Sequence, residues 1–398
     1  MADQAAEVLL EGISLYYHIP FCRKKCHYCD FVSLPIDPRG TDFSPYFNAL
    51  CRECEERLKR LPHLPQKLHS LYVGGGTPTL LPVETYRTLF SLLNRYFSPE
   101  RLFAAENTFE ANPETVTKEN MSAMRSLGFN RISLGIQSLD ARVLARMGRV
   151  HTVKTAFQAT GFAKTVFENV SCDFIVGYEP NPYDILAPLL HFIHTFQPDH
   201  LSIYPLEVHP QTVLGKEDPD LPNVTSKESY QGRVFLLIQD LLRSEGYRHY
   251  EVSSYGRPGY FSVHNLRYWN NSDYLGIGLS AGGHIGRKRY VNTSDMDAYL
   301  GTTLSNAIPE TAYFSENDEV EELKETLFMA FRKAEGVDVD RLERYHPSLN
   351  IRGFINYFRQ LEAFVIENGR LRLAGESLFY NRSALEKAME ICDRFFTE

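Results

Sequence analysis

A chain of 398 residues can bury a barrel-sized core and still have length for a smaller second unit. With 43% hydrophobic and 23% charged residues it has the composition of a globular protein, and its formal net charge of −8 argues against a broad basic face for nucleic acid or anionic membrane. No apolar run of about twenty residues is present to cross a bilayer. The opening residues, Met1-Ala-Asp-Gln-Ala-Ala-Glu7, show no basic stretch leading into an apolar one, so neither a membrane span nor a secretory signal is expected and the chain reads as cytoplasmic. Seven cysteines in such a chain read as reduced thiols rather than a disulfide framework.

In chain order, 14–19 reads as a strand, and a loop follows that holds Cys22-Arg-Lys-Lys-Cys26-His-Tyr-Cys29. Gaps of three and then two residues put three thiolates on one short loop, where each can take one iron of a [4Fe–4S] cube and leave the fourth iron without a protein ligand. Zinc is the alternative, with His27 or Asp30 as its fourth ligand. Tyr28 stands between two of the cysteines, where its ring can cover a cluster face, and Tyr16, His18, Pro20 and Phe21 fix the approach to the loop. A charged helix over 43–61 carries Cys51 and Cys54, which read as two thiols on one helix face rather than a redox pair.

Strands at 70–73, 108–111, 131–136, 170–175 and 200–206 alternate with helices at 82–96, 118–127, 141–147, 153–164 and 183–196. Six strand–helix units in this order predict a parallel sheet with helical crossovers, an α/β fold that closes as a partial, open (β/α)6 barrel of the TIM type. Barrels of this kind hold ligands at the C-terminal strand ends. Those ends carry Gly74-Gly75-Gly76-Thr77-Pro78-Thr79, Glu110, Gln137 with Arg149 beyond it, and Asp173. The glycines bring bare backbone beside a ligand, or else make only a tight turn.

The stretch 208–223 reads as a long loop, 227–245 as a helix, and 247–290 is dense in aromatics and glycines. A polar linker is expected at 309–318, then helices at 319–333, 338–345 and 351–367 and a short strand at 370–374. The chain therefore divides into a barrel over 1–308 and a small, mainly helical unit over 316–398, winged-helix in shape.

The string Leu15-Tyr-Tyr-His-Ile-Pro-Phe-Cys22, continued by Cys26 and Cys29, resembles the radical S-adenosylmethionine (SAM) superfamily. Within it, His18-Ile-Pro-Phe-Cys22 and Tyr28 are similar to the oxygen-independent coproporphyrinogen III oxidase group and its haem-chaperone relatives. The resemblance implies a [4Fe–4S] cluster on Cys22, Cys26 and Cys29, reduced by an electron donor, whose open iron is chelated by the amino and carboxylate groups of SAM. It implies a SAM site formed by Tyr16, Tyr28, Gly75, Gly76, Thr77, Pro78, Glu110, Gln137, Arg149 and Asp173, where one electron cleaves SAM to methionine and a deoxyadenosyl radical. The chain departs from the family pattern at Gly177-Tyr-Glu-Pro180, where Gly-Leu-Pro is usual.

Two features separate the branches. Phe31 stands where the oxidase carries a further cysteine, and Cys22 comes too early for the oxidase's N-terminal arm. His264-Asn-Leu-Arg-Tyr268-Trp269, followed by Asp273-Tyr-Leu-Gly-Ile-Gly278, looks like the haem-chaperone motif. That resemblance implies haem as cargo, with His264 on the iron, Tyr268 and Trp269 packed on the porphyrin, and transfer to acceptor proteins. The alternative is an aromatic loop closing the barrel bottom, with His264 a hydrogen-bonded core residue. Chaperone action is expected first, oxidative decarboxylation of coproporphyrinogen second and radical opening of haem third. Whether the chain is an enzyme, touches a membrane surface or forms a dimer is left open.

Overall fold

The computed structural model describes residues 12–397 apart from 62, 64, 66, 179–180, 182, 219–229, 305–307 and 375–381. The departure at Glu179 and Pro180, the end of the 208–223 loop and the start of the 227–245 helix lie outside the described residues.

Each of the six expected strands forms: β1 Ile13–Ile19, β2 Leu68–Gly75, β3 Glu106–Ala111, β4 Arg131–Gln137, β5 Asn169–Val176 and β6 His200–Pro205. They pair in sequence order and in parallel. Among the crossovers are α1 Ser44–Lys59, α2 Val83–Leu93, α3 Lys118–Leu127, α4 Val153–Val166 and α5 Leu186–Phe196. The apolar strand positions that face these helices form one buried core, from Ile13 and Leu15 through Leu71, Phe109, Leu134 and Phe174 to Ile203. Burying them at about 25 cal/mol per Å² of apolar surface is what holds the sheet curved around its other face. That other face is polar and aromatic, and the register stacks it in layers: Ser14 beside Ser70, then Tyr16 beside Tyr72 and Thr108.

The barrel stays open. Beyond β6, α6 Tyr230–Ser244 leads to the antiparallel pair β7 Arg248–Glu251 and β8 Ser254–Gly256 at one edge of the sheet. At the other edge β9 Tyr274–Ile277 pairs in parallel with β1, and β10 Gly282–Ile285, β11 Lys288–Asn292 and β12 Thr311–Glu316 continue the sheet antiparallel to twelve strands. A short helix, α7 Val263–Trp269, crosses the open bottom, its first N–H groups capped by the Glu106 carboxylate at 3.0 Å from both Val263 N and His264 N. The helix α8 Met296–Leu304 then packs against α1.

The segment expected to be a linker at 309–318 contains β12: Thr311–Glu316 pairs antiparallel with β11 at the sheet edge, with its side chains mostly exposed. The last part of the chain has its own apolar core, built on Leu323, Leu327, Phe331, Leu342, Phe354, Phe358 and Leu371. Its helices are α9 Glu319–Ala330, α10 Val339–Tyr345, α11 Ile351–Phe358 and α12 Arg382–Thr397, and its small sheet joins β13 Val337–Asp338, β14 Phe364–Glu367 and β15 Arg370–Leu373. The helix expected over 351–367 stops at Phe358. The Asn368-Gly369 pair, with φ of 50° and 74°, makes a two-residue hairpin turn, and the β-branched Val365 and Ile366 before it belong to a strand. The two cores are joined by polar contacts: Asn271 Nδ2 donates to Glu322 at 2.7 Å, Arg341 to Ser272 Oγ at 3.0 Å, and Arg289 pairs with Glu325.

Candidate functional site

The loop after β1 and the C-terminal ends of β2 to β6 enclose a cavity of about 450 Å³. Cys22, Cys26, Cys29, Tyr28, Gly75, Gly76, Thr77, Glu110, Gln137, Arg149 and Asp173 all line it, so the structure brings together eleven of the thirteen residues expected at the cluster and SAM. The other two stand just outside. Tyr16 lies one layer down in the barrel, its hydroxyl 3.0 Å from His18 Nδ1, and Pro78 opens a short 3-10 turn in which its carbonyl accepts from Tyr86 at 2.6 Å.

The cysteine loop is pinned from several sides. His27 N donates to Met147 O at 2.9 Å, its ring Nδ1 lies 2.9 Å from Arg146 O, and Leu214 N donates to His27 O at 2.8 Å. Tyr28 packs among Val143, Met147, Tyr178 and Leu206. The glycines fit because nothing larger would. Gly75 sits at φ +108° and a Cβ there would lie 2.5 Å from the His18 ring, while one on Gly76 would lie 3.0 Å from Cys22 Sγ. Gln137 ends β4 at φ +66°, strained for a residue other than glycine, after a bulge that turns its side chain to the mouth.

The donor set suits a cube better than a single ion. Among the described residues the one group of three His, Cys, Asp or Glu ligand atoms lying within 4.8 Å of one another is His284, Glu322 and Glu325, so the three sulfurs are spread more widely than one zinc ion would hold them. His27 already spends Nδ1 on a carbonyl. Two sulfurs have donors aimed at them: Thr77 Oγ1 at 3.7 Å from Cys22 Sγ and Arg149 Nη1 at 3.4 Å from Cys26 Sγ. Burial pushes the Cys29 thiol up to about 11 and raises that of Cys22. Bound iron supplies the positive charge that keeps such sulfurs as thiolates. A cluster held here would supply one electron to whatever occupies its open iron.

Two carboxylates face the same space. Glu110 accepts from Tyr72 OH at 2.8 Å and Gly75 N at 3.0 Å, and burial, helped by the negative charge of Asp173, pushes its pKa up to about 7. Asp173 accepts from Ser133 Oγ at 2.8 Å and is raised by burial. Carboxylates raised by burial beside a cavity are equipped to meet hydroxyl or ammonium groups of a ligand.

His264, Tyr268 and Trp269 lie elsewhere. Their helix α7 closes the opposite end of the barrel, where His264 is 1% exposed, with Nδ1 2.7 Å from Ser70 Oγ and Nε2 2.8 Å from Tyr268 OH. Its ring stacks on Tyr72 at 4.9 Å, burial takes its pKa down to about 3, and Trp269 lies under Arg332. These contacts match the barrel-bottom alternative, and they leave neither imidazole nitrogen open to an iron.

Sequence reasoning missed Asn112, Tyr204 and His209, which also line the mouth. Asn112 was within reach: strand alternation puts residue 112 on the face that Glu110 uses. His209 and Tyr204 carry no motif.

A glycine-rich, parallel, open barrel with three cysteines at its mouth defines a protein of the radical SAM class. The family model of the Radical SAM superfamily matches residues 16–193. Over 349 residues the chain is 33% identical to the haem chaperone HemW of Bacillus subtilis, covering 85% of this chain and 88% of that one, and 32% identical to HemW of Synechocystis over 84% and 80%. The solved coproporphyrinogen III oxidase (HemN) of Escherichia coli superposes with a TM-score of 0.77 over 99% of this chain and 93% of its own at 20% identity, a likeness of fold. The chain belongs to the HemW family within the radical SAM superfamily, a superfamily that implies a [4Fe–4S] cluster and SAM.

Proposed function

We propose that this chain is a cluster- and SAM-bearing haem chaperone that binds haem and passes it to acceptor proteins, with an electron donor serving the cluster. The observation that carries this is the 33% identity, across most of both chains, to a curated haem chaperone. The mouth supports it: Phe31, Val150 and Tyr204 are 62%, 50% and 42% exposed around the cavity, an apolar rim on which a flat macrocycle can lie. His209 stands on the same rim, its Nε2 3.5 Å from Asp30 Oδ2. The seven cysteines are all unpaired, which suits a reducing, cytoplasmic setting, and among the described residues no helix is long and apolar enough to cross a membrane. We divide the chain into a barrel unit over 1–308 and a helical unit over 316–398, each on its own apolar core.

Anaerobically reconstituted protein tests this by haem titration, followed spectroscopically, for wild type, His264→Ala and His209→Ala. Stable haem binding is expected in the wild type. Loss in His209→Ala alone places the iron at the mouth, and loss in His264→Ala alone, titrated at a temperature where that variant is still folded, places it at the floor. Conversion of coproporphyrinogen III to protoporphyrinogen, given SAM and reductant, would replace the chaperone by the oxidase. Phe31, exposed at the rim in place of the oxidase's further cysteine, weighs against that outcome.

A further inference from the structure

We propose that Asn112 is a positioning residue that aims the hydrogen-bond donors of two cluster ligands, and through them sets the cluster's reduction potential; the proposal rests on the three-cysteine cluster site. The side-chain amide of Asn112 lies between the two donors that reach the sulfurs. Arg149 Nη2 is 2.7 Å from Asn112 Oδ1, and Asn112 Nδ2 is 2.8 Å from Thr77 Oγ1. The direction of each bond follows from chemistry. A guanidinium only donates, so the Asn112 atom that meets it is the carbonyl oxygen, and the amide N–H groups face Thr77. Thr77 Oγ1 then accepts from Asn112, and its own hydrogen is free for Cys22 Sγ at 3.7 Å. The other guanidinium nitrogen, Nη1, reaches Cys26 Sγ at 3.4 Å. One amide thus orders a polar arc that runs from one cluster sulfur to another.

The surroundings fix the amide in place. Asn112 O accepts from Thr115 N at 2.9 Å and Thr115 Oγ1 at 2.8 Å, which pins the backbone. Gly135 O takes the same Arg149 nitrogen at 3.0 Å, and a Cβ on Gly135 would come within 3.0 Å of Asn112 Oδ1. Hydrogen bonds to cluster sulfurs stabilise the reduced, more negative state and raise the potential, and residues that orient such donors tune a metal centre from outside its ligand set. Asn112→Asp is nearly isosteric yet reverses the arc: a carboxylate accepts from the Thr77 hydroxyl, turns its hydrogen away from Cys22, and adds a negative charge.

The test is a reductive titration of the reconstituted full-length protein without SAM, followed by electron paramagnetic resonance, with iron content and melting temperature recorded. The expected result is a midpoint potential more negative than wild type in Asn112→Ala and more negative again in Asn112→Asp. An unmoved potential in Asn112→Asp overturns the proposal, as does a lower iron content with the loaded fraction titrating like wild type. If neither Asn112 variant holds a cluster, Thr77→Val removes the same donor one step downstream: a negative shift supports the arc and an unchanged potential overturns it. A wild type that shows no [4Fe–4S] signal instead defeats the cluster assignment itself.

Discussion

The two ends of the same parallel strands use polar side chains in opposite ways. At the mouth, Glu110, Gln137, Arg149 and Asp173 surround open space, and the backbone is strained or bare at Gln137 and Gly75. At the floor, His264, Ser70, Ser14 and Tyr268 spend their polar atoms on one another: Ser70 Oγ donates to Ser14 Oγ at 2.8 Å, which leaves its oxygen to accept from His264 Nδ1, so that Nε2 takes the Tyr268 hydroxyl. A histidine in a motif therefore states little about function until its partners are known. A ring whose two nitrogens are both taken in a closed space builds structure, whereas polar groups that line a cavity can also meet a ligand.

That contrast is open to direct attack. The largest effect is expected from replacing Cys22, Cys26 or Cys29 with serine: iron content and the visible absorption of a reconstituted cluster should vanish while the apoprotein unfolds as wild type does. Unchanged iron in all three would remove the mouth as the cluster site. Next, His264→Ala should cost about 3 kcal/mol in denaturant unfolding, since it takes away the acceptor of the Tyr268 hydroxyl and the donor to Ser70 Oγ in a buried space. Wild-type stability in that variant would show that the floor is held by something else. Gly75→Ala, which puts a Cβ against His18 at a positive φ, should cost about 2 kcal/mol and weaken SAM binding in calorimetry.

The smallest effect concerns pH. Burial raises Glu110 from 4.5 to about 7, so the folded state holds its proton more tightly than the unfolded one. Its contribution to stability is full below 4.5 and is lost as pH rises through 7. Glu110→Gln should flatten the fall in melting temperature of the apoprotein between those values. A profile parallel to the wild type's would mean that the carboxylate is ionised throughout.

Much of the barrel could be read from the chain because its strands are buried against helices on one side and its turns are marked by glycine, proline and capping residues. Thr117, Thr152 and Asp318 each cap the helix that the pattern predicts. The thiol loop was legible for the same reason: its chemistry is local in sequence. At the floor the sequence offered the barrel-bottom reading only as an alternative, since nothing near His264 announces its partner Ser70, which lies 194 residues earlier. The strand expected at 370–374 forms as β15, but its partner β14 was missed through the amphipathic run 351–358, whose helical period was carried on past its end, although Asn368-Gly369 marked the turn.

The place of β1 in the sheet bears on how the protein is made. Its neighbours are β2 and β9, and the second of these begins at Tyr274, about 250 residues after β1 ends. At a synthesis rate of about 5–20 residues per second, β1 waits roughly 10–50 s for its second partner. For nearly all of that interval α7, which closes the floor just before β9, has not been made either. The nascent half-barrel is then open along one edge and at its base, and both are closed together late in synthesis, after the mouth-forming strands β1 to β6 have all been made.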